Sequence, residues 1–133
     1  MLKILVVDDS VMMRNSVKSY LKNSGHTLVG EAESGLLALD VCRETKPDLI
    51  TMDITMPDMD GLEAIEKIRE FNKDVNILVV TSHGQEEVIM RSLKAGAQGY
   101  ILKPITQENF DESVNNIFEN SKNLKEEEYL LDE

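Results

Sequence analysis

"KILVVDDSVMM", Lys3 to Met13, decides how the rest of the chain is read. Four apolar residues, Ile4 to Val7, run without alternation into two adjacent aspartates, Asp8 and Asp9. An unbroken run of that kind suits a strand buried on both faces, the habit of parallel sheets. Ser10 then stands where a helix N-cap belongs, and Met13, Val17 and Leu21 follow at intervals of four, the spacing of a helix with one buried side. The stretch therefore reads as strand, acidic turn, helix.

The same cadence recurs along the chain. Leu49–Ile50 with Met52, Ile77–Val80 and Tyr100–Leu102 are further apolar runs, and "TLVGEA" (Thr27 to Ala32) is a weaker one. Leu62, Ile65 and Ile68, and later Phe110, Val114 and Ile117, carry helical spacing, and Ser34, Ser82 and Thr106 stand as further N-caps. Gly25, Gly61, Gly96 and Gly99 punctuate turns. The pattern predicts strands over about 3–8, 27–32, 48–53, 76–81 and 99–102, with helices over about 11–24, 35–45, 61–71, 85–95 and 107–121. Five alternations of strand and helix imply an α/β domain, a parallel sheet with helices on both faces.

Composition narrows the function. The chain has 133 residues, 41% of them hydrophobic, which suits one globular domain. Its net charge of −11, from 14 basic and 25 acidic residues, repels nucleic acid and anionic membranes, so proteins or metal cations are the expected partners. No stretch approaches the roughly 20 apolar residues that cross a bilayer, and no secretory signal opens the chain. The single cysteine, Cys42, is read as apolar filler on a helix, in keeping with a cytoplasmic location. Residues 1–120 are expected to form the domain; 121–133, "SKNLKEEEYLLDE", form an acidic tail, either a helical extension or disordered. His26, in "NSGHT", is read as a surface residue on the far side.

Parallel strands all end on one edge, so the residues that terminate them converge, and the crevice there is where open α/β sheets bind ligands. Strand one ends at Asp8 and Asp9, strand three at Asp53, strand four at Thr81, and Lys103 follows strand five. Clustered carboxylates raise each other's pKa values unless a cation relieves them. An all-oxygen set without His or Cys suits Mg²⁺, with Mn²⁺ possible in its place. The ammonium of Lys103 makes sense beside such a metal only if a further anion, such as a phosphoryl group, joins it. Met56 and Met59 are read as loop packing.

"ILVVDDS", "PDLITMDITMPDMDGLEAI", "ILVVTSHG" and "AGAQGYILKP", in that order, resemble the response-regulator receiver domain over residues 2 to about 120. "VVDDSVMMR", "VGEAESG" and "MDITMP" look most like the stand-alone chemotaxis regulators of that family. The resemblance implies a flavodoxin-like (βα)5 sandwich of strand order 2-1-3-4-5, a topology long known for this protein type. It implies that Asp53 accepts a phosphoryl group from a sensor histidine kinase. Asp9, Asp53 and the backbone carbonyl of Thr55 would hold Mg²⁺, with Asp8 behind through water. Lys103 would pair with the phosphoryl oxygens, Thr81 would hydrogen-bond one of them, and Tyr100 would change rotamer in response. Lys103–Pro104 would be a candidate cis peptide. Thr55 and His83, each two residues beyond a site residue, would tune phosphoryl lifetime. The implied function is a switch that controls protein partners, such as a flagellar motor switch protein, with a phosphatase as a further partner; a phosphorelay intermediate is the alternative.

Two other classes compete. A Mg²⁺-dependent phosphohydrolase could use the same carboxylates, but the chain offers no cap domain or evident substrate pocket. A binder of FMN or a nucleotide would need a phosphate-cradling loop after strand one, where "DDSVMM" instead places negative charge.

Overall fold

Every predicted apolar run forms a strand, and every helical spacing a helix. The computed structural model describes residues 1–56, 58–82 and 84–131, with side chains as far as Glu119. In chain order the elements are β1 (Lys3–Val7), α1 (Val11–Asn23), β2 (Thr27–Ala32), α2 (Gly35–Thr45), β3 (Leu49–Asp53), α3 (Gly61–Phe71), β4 (Asn76–Thr81), α4 (Glu86–Ala95), β5 (Gly99–Leu102) and α5 (Gln107–Leu131). The strands form one sheet of order β2-β1-β3-β4-β5, and every pairing is parallel. This is the expected flavodoxin-like arrangement.

Alternate residues of the central strands feed two separate cores. Leu5, Val7, Ile50, Met52, Ile77 and Val79 pack with Ala38, Leu39 and Cys42 of α2 and Ala64, Ile65 and Ile68 of α3. On the opposite face, Ile4, Val6, Leu49, Leu78, Val80 and Ile101 meet Val17 and Leu21 of α1 and Phe110, Val114 and Ile117 of α5. Burial on both faces is why the runs do not alternate in polarity. Burying a side chain of this size stabilises the fold by about 1.5–3 kcal/mol, so the cores hold the strand ends in fixed register. Met56 and Met59 belong to the first core, as expected of loop packing, and Cys42 is buried.

Helix starts follow local hydrogen bonding. Ser10 and Ser34 accept from the backbone N–H groups of Met13 and Leu37, and the Thr106 hydroxyl accepts from Asn109 N–H at 3.1 Å, as the sequence suggests. Ser82 does not cap α4. That helix begins at Glu86, after Gln85, whose side chain makes no capping bond. A helix can start without a side-chain cap when Glu86 and Glu87 in its first turn already complement its dipole. Asp60 caps α3, accepting from Glu63 N–H at 2.8 Å. The backbone of α5 is helical to Leu131, ten residues beyond the expected end at 121.

One further expectation needs correction. His26 is half-buried, not inert surface: its Nδ1 accepts from Leu2 N–H at 3.2 Å, tying the start of the chain to the α1–β2 turn. Gly61 sits where the loop turns into α3. It is needed because a Cβ there would lie 2.7 Å from Ile54 Cα and collide with the Asp53 carbonyl. Its N–H donates to Ile54 O at 2.7 Å, folding the loop tightly behind β3.

Candidate functional site

The C-terminal edge of the sheet gathers the residues that end its strands. β1 stops at Val7, but the ladder continues one bond further, Asp8 N–H donating to Ala32 O at 3.1 Å. The chain then turns, and Asp8 Oδ1 accepts from Ser10 N–H at 2.9 Å. Asp53 is the last residue of β3, opposite Val80 of β4. Thr81 ends β4, and its carbonyl accepts from Lys103 N–H at 2.8 Å. That bond seats Lys103 directly beyond β5. The Lys103–Pro104 peptide is cis.

One carboxylate oxygen from each of Asp8, Asp9 and Asp53 lies within 4.8 Å of the other two. Asp8 and Asp53 are buried, at 3% and 5% exposure, whereas Asp9 is exposed. Lys103 Nζ reaches between the buried pair, 3.2 Å from Asp8 Oδ2 and 3.6 Å from Asp53 Oδ1. Thr55 N–H adds a long bond of 3.4 Å to Asp53 Oδ1.

This environment pushes the Asp53 carboxyl up from 3.8 to about 6. Burial is the main cause and the neighbouring Asp8 the next; Lys103 and the Thr55 N–H pull the other way, and Asp9 adds a little upward. One ammonium thus fails to compensate three acids. A hard divalent cation would, and the donors fit one: all are oxygens, and exposed Asp9 opens the site to water ligands.

The expected residues Asp8, Asp9, Asp53, Thr81 and Lys103 come together here. Thr55 follows Asp53 and is exposed at the start of the loop. Tyr100 lies farther along β5, paired with Val79 and 44% exposed. His83 lies outside the described residues, as does Pro57.

Sequence reading passed over three residues around the site. Arg14, 9% exposed, donates from Nη1 to the Asp8 carbonyl at 2.7 Å and from Nε to Glu31 Oε1 at 3.0 Å. Asp58 accepts from Gly35 N–H at 3.3 Å and Leu36 N–H at 3.2 Å, tying the loop after β3 to the start of α2. Asp60 caps α3. A signal existed for Asp60, an acid immediately before a helix with Glu three positions on. Arg14, in the first turn of α1, gave none.

Comparison with known proteins agrees with this geometry. The response regulator receiver domain family matches residues 4–115. A chemotaxis protein CheY of Thermotoga maritima is 36% identical over 115 residues, covering 86% of this chain and 96% of that protein. The CheY of Listeria monocytogenes is 42% identical over 104 residues, covering 78% and 87%. Among solved structures, a CheX–CheY–BeF3–Mg²⁺ complex from Borrelia burgdorferi contains a chain superposing with a TM-score of 0.85 at 29% identity, over 87% of this chain and 88% of that one. Within the described residues no helix is long and apolar enough to cross a membrane. With its strand-end acids and lysine in place, and with the family matched across both cores, this chain belongs to the response regulator receiver domain family and is CheY-like.

Proposed function

We propose that Asp53 is the phosphoacceptor of a signalling switch, taking its phosphoryl group from a phosphohistidine of a sensor histidine kinase. A carboxylate is a competent nucleophile for forming an aspartyl phosphate. The observation that carries the reading is the Lys103 ammonium set between the buried carboxylates of Asp8 and Asp53. Lys103 is positioned to pair with phosphoryl oxygens once Asp53 carries them, and Thr81 to hydrogen-bond one of those oxygens. Asp9, Asp53 and the Thr55 carbonyl would hold Mg²⁺, with Asp8 behind; bound there, the ion supplies countercharge for the equatorial oxygens during transfer. The Borrelia burgdorferi neighbour, described with BeF3 and Mg²⁺, supports the same assignment.

Phosphorylation replaces a carboxylate with a group of about −1.5 to −2 charge and strong acceptor oxygens. Thr81 moves toward it, Tyr100 follows into the space beside Thr81, and the surface of α4, β5 and α5 changes for its partners. The CheY relatives favour a chemotaxis role over a phosphorelay intermediate; a flagellar motor switch protein is the proposed target, and a phosphatase a further proposed partner. The buried, unpaired Cys42 fits a cytoplasmic setting. His83 is read as slowing loss of the phosphoryl group, and an unchanged dephosphorylation rate in His83→Ala would remove that role.

Acetyl phosphate with Mg²⁺ tests the core of the reading. One stoichiometric phosphoryl adduct on Asp53, absent in Asp53→Asn, is expected. An adduct elsewhere would sink the site assignment, and repeated turnover of simple phosphate esters would make the protein a phosphohydrolase.

A further inference from the structure

We propose that Arg14 is a positioning residue for the acidic site: it fixes the Asp8–Asp9 peptide so that Asp9 faces Asp53. The inference rests on the reading of Asp8, Asp9 and Asp53 as a metal site.

Asp9 has to be held by its backbone, because its side chain is exposed and its neighbours in the cluster are acids that repel it. The peptide that carries it leaves the sheet at this point. The peptide before it is secured through its N–H, Asp8 donating to Ala32 O. Among the described residues the sheet offers Asp8 O no further partner, and it is met instead by Arg14 Nη1 at 2.7 Å. With both groups of Asp8 bonded, the direction in which the chain presents Asp9 is set.

The guanidinium is itself held. Its Nε donates to Glu31 Oε1 at 3.0 Å, and Lys18 Nζ donates to Glu31 Oε2 at 2.8 Å. Glu31 lies on β2, opposite Val6, so the chain of contacts runs from one strand, through helix α1, to the turn after the next strand. Lys18 and then Arg14 hold the Glu31 carboxyl below its usual range, which extends the ion pairs toward acid pH. A planar fork can satisfy a carboxylate and a carbonyl together, which an ammonium cannot do from the same place. The alternative, that Arg14 merely staples α1 to β2, leaves the short bond to Asp8 O without purpose.

Partners behind a metal ligand typically change affinity by roughly 10–100-fold when removed. Isothermal titration of Mg²⁺ into the full chain should therefore show a dissociation constant raised by about 10-fold or more in Arg14→Met, with Arg14→Lys recovering only part. Glu31→Gln, which keeps the Arg14 charge but loosens it, should weaken binding by a smaller factor. The half-saturating Mg²⁺ concentration for phosphorylation by acetyl phosphate should rise in parallel, while the rate at saturating Mg²⁺ changes far less. Val17→Ala, a buried change on the same helix, controls for lost stability and should leave Mg²⁺ affinity alone. Affinity within two-fold of the original in both Arg14→Lys and Glu31→Gln, or equal weakening in Val17→Ala, would overturn the role. Failure of the unaltered protein to bind Mg²⁺ at all would overturn the metal reading and this inference with it.

Discussion

Thr81 and Tyr100 are diagonal neighbours on one face of the sheet, because β4 and β5 pair Val79 with Tyr100 and Thr81 with Leu102. Thr81 is 1% exposed and Tyr100 is 44% exposed. A buried hydroxyl at the site therefore adjoins a half-open ring at the surface, within reach of a diagonal contact. Thr81→Ala should still accept a phosphoryl group but lose the response. Fluorine NMR of labelled tyrosines should show Tyr100 shifting on addition of beryllofluoride in the original protein and staying put in the variant. The gain in partner affinity, about 5–150-fold for a coupling of typical size, should collapse with it.

Lys103 opposes the carboxylates of Asp8 and Asp53 from 3.2 and 3.6 Å; Asp53 is a proposed cation ligand, and Asp8 stands behind the ion. Removal of Lys103 should separate the two roles of the site. Lys103→Gln is expected to slow phosphorylation by roughly 10²–10³, the cost of losing one preorganised donor to a developing anion. Mg²⁺ binding should be kept or tightened, since a competing positive charge is gone. Quench-flow mass spectrometry and calorimetry check the two halves.

The raised Asp53 carboxyl sets a pH dependence for the metal-free protein. An ordinary value of 3.8 against about 6 in the fold means the folded state binds a proton more tightly than the unfolded one. Stability then falls as pH rises from about 4 through 6, and above that range ionised Asp53 is a liability. In the presence of a chelator, Asp53→Asn should be more stable than the original at pH 7.5 by about 1–3 kcal/mol, with the gap closing near pH 4. Urea melts at the two pH values measure it. Mg²⁺ should stabilise the original protein and do little for the variant.

Gly61→Ala tests the tight exit behind Asp53. The added methyl meets backbone atoms of Asp53 and Ile54, which cannot swing aside as a side chain would. A loss of about 1–3 kcal/mol is expected, together with slowed phosphorylation because β3 is displaced at its last residue. Gly25→Ala is the contrast: at φ +81° with open space around it, it should cost about 1–2 kcal/mol through backbone strain alone and leave phosphorylation intact. Thermal melts and acetyl phosphate kinetics on both variants separate crowding from strain.

Much of this was legible in the sequence because hydrophobic period and strand polarity are local signals with a global consequence. Runs such as Ile4–Val7 and Ile77–Val80 could only be doubly covered strands, and parallel strands force Asp8, Asp9, Asp53, Thr81 and Lys103 to one edge. The strand order itself came from resemblance. What escaped were residues whose roles depend on a distant backbone group. Arg14 looks like any charge on a helix until the Asp8 carbonyl needs a donor. His26 looks like a turn residue until Leu2 N–H finds its ring. Ser82 carried the composition of a cap, yet the loop before α4 runs on to Gln85, because nothing in that pattern encodes how many residues a loop will use.

β3 and β5 differ in how firmly they are held. All five residues of β3 are buried between two neighbouring strands, whereas β5 is a four-residue edge strand with Tyr100 and Leu102 half open. On the proposed reading, a covalent change at Asp53 would fall on a fully buried central strand, with the half-open edge strand two strands away. Signal output at the margin would then follow from where burial ends, and reinforcing that margin should silence the protein without touching its chemistry.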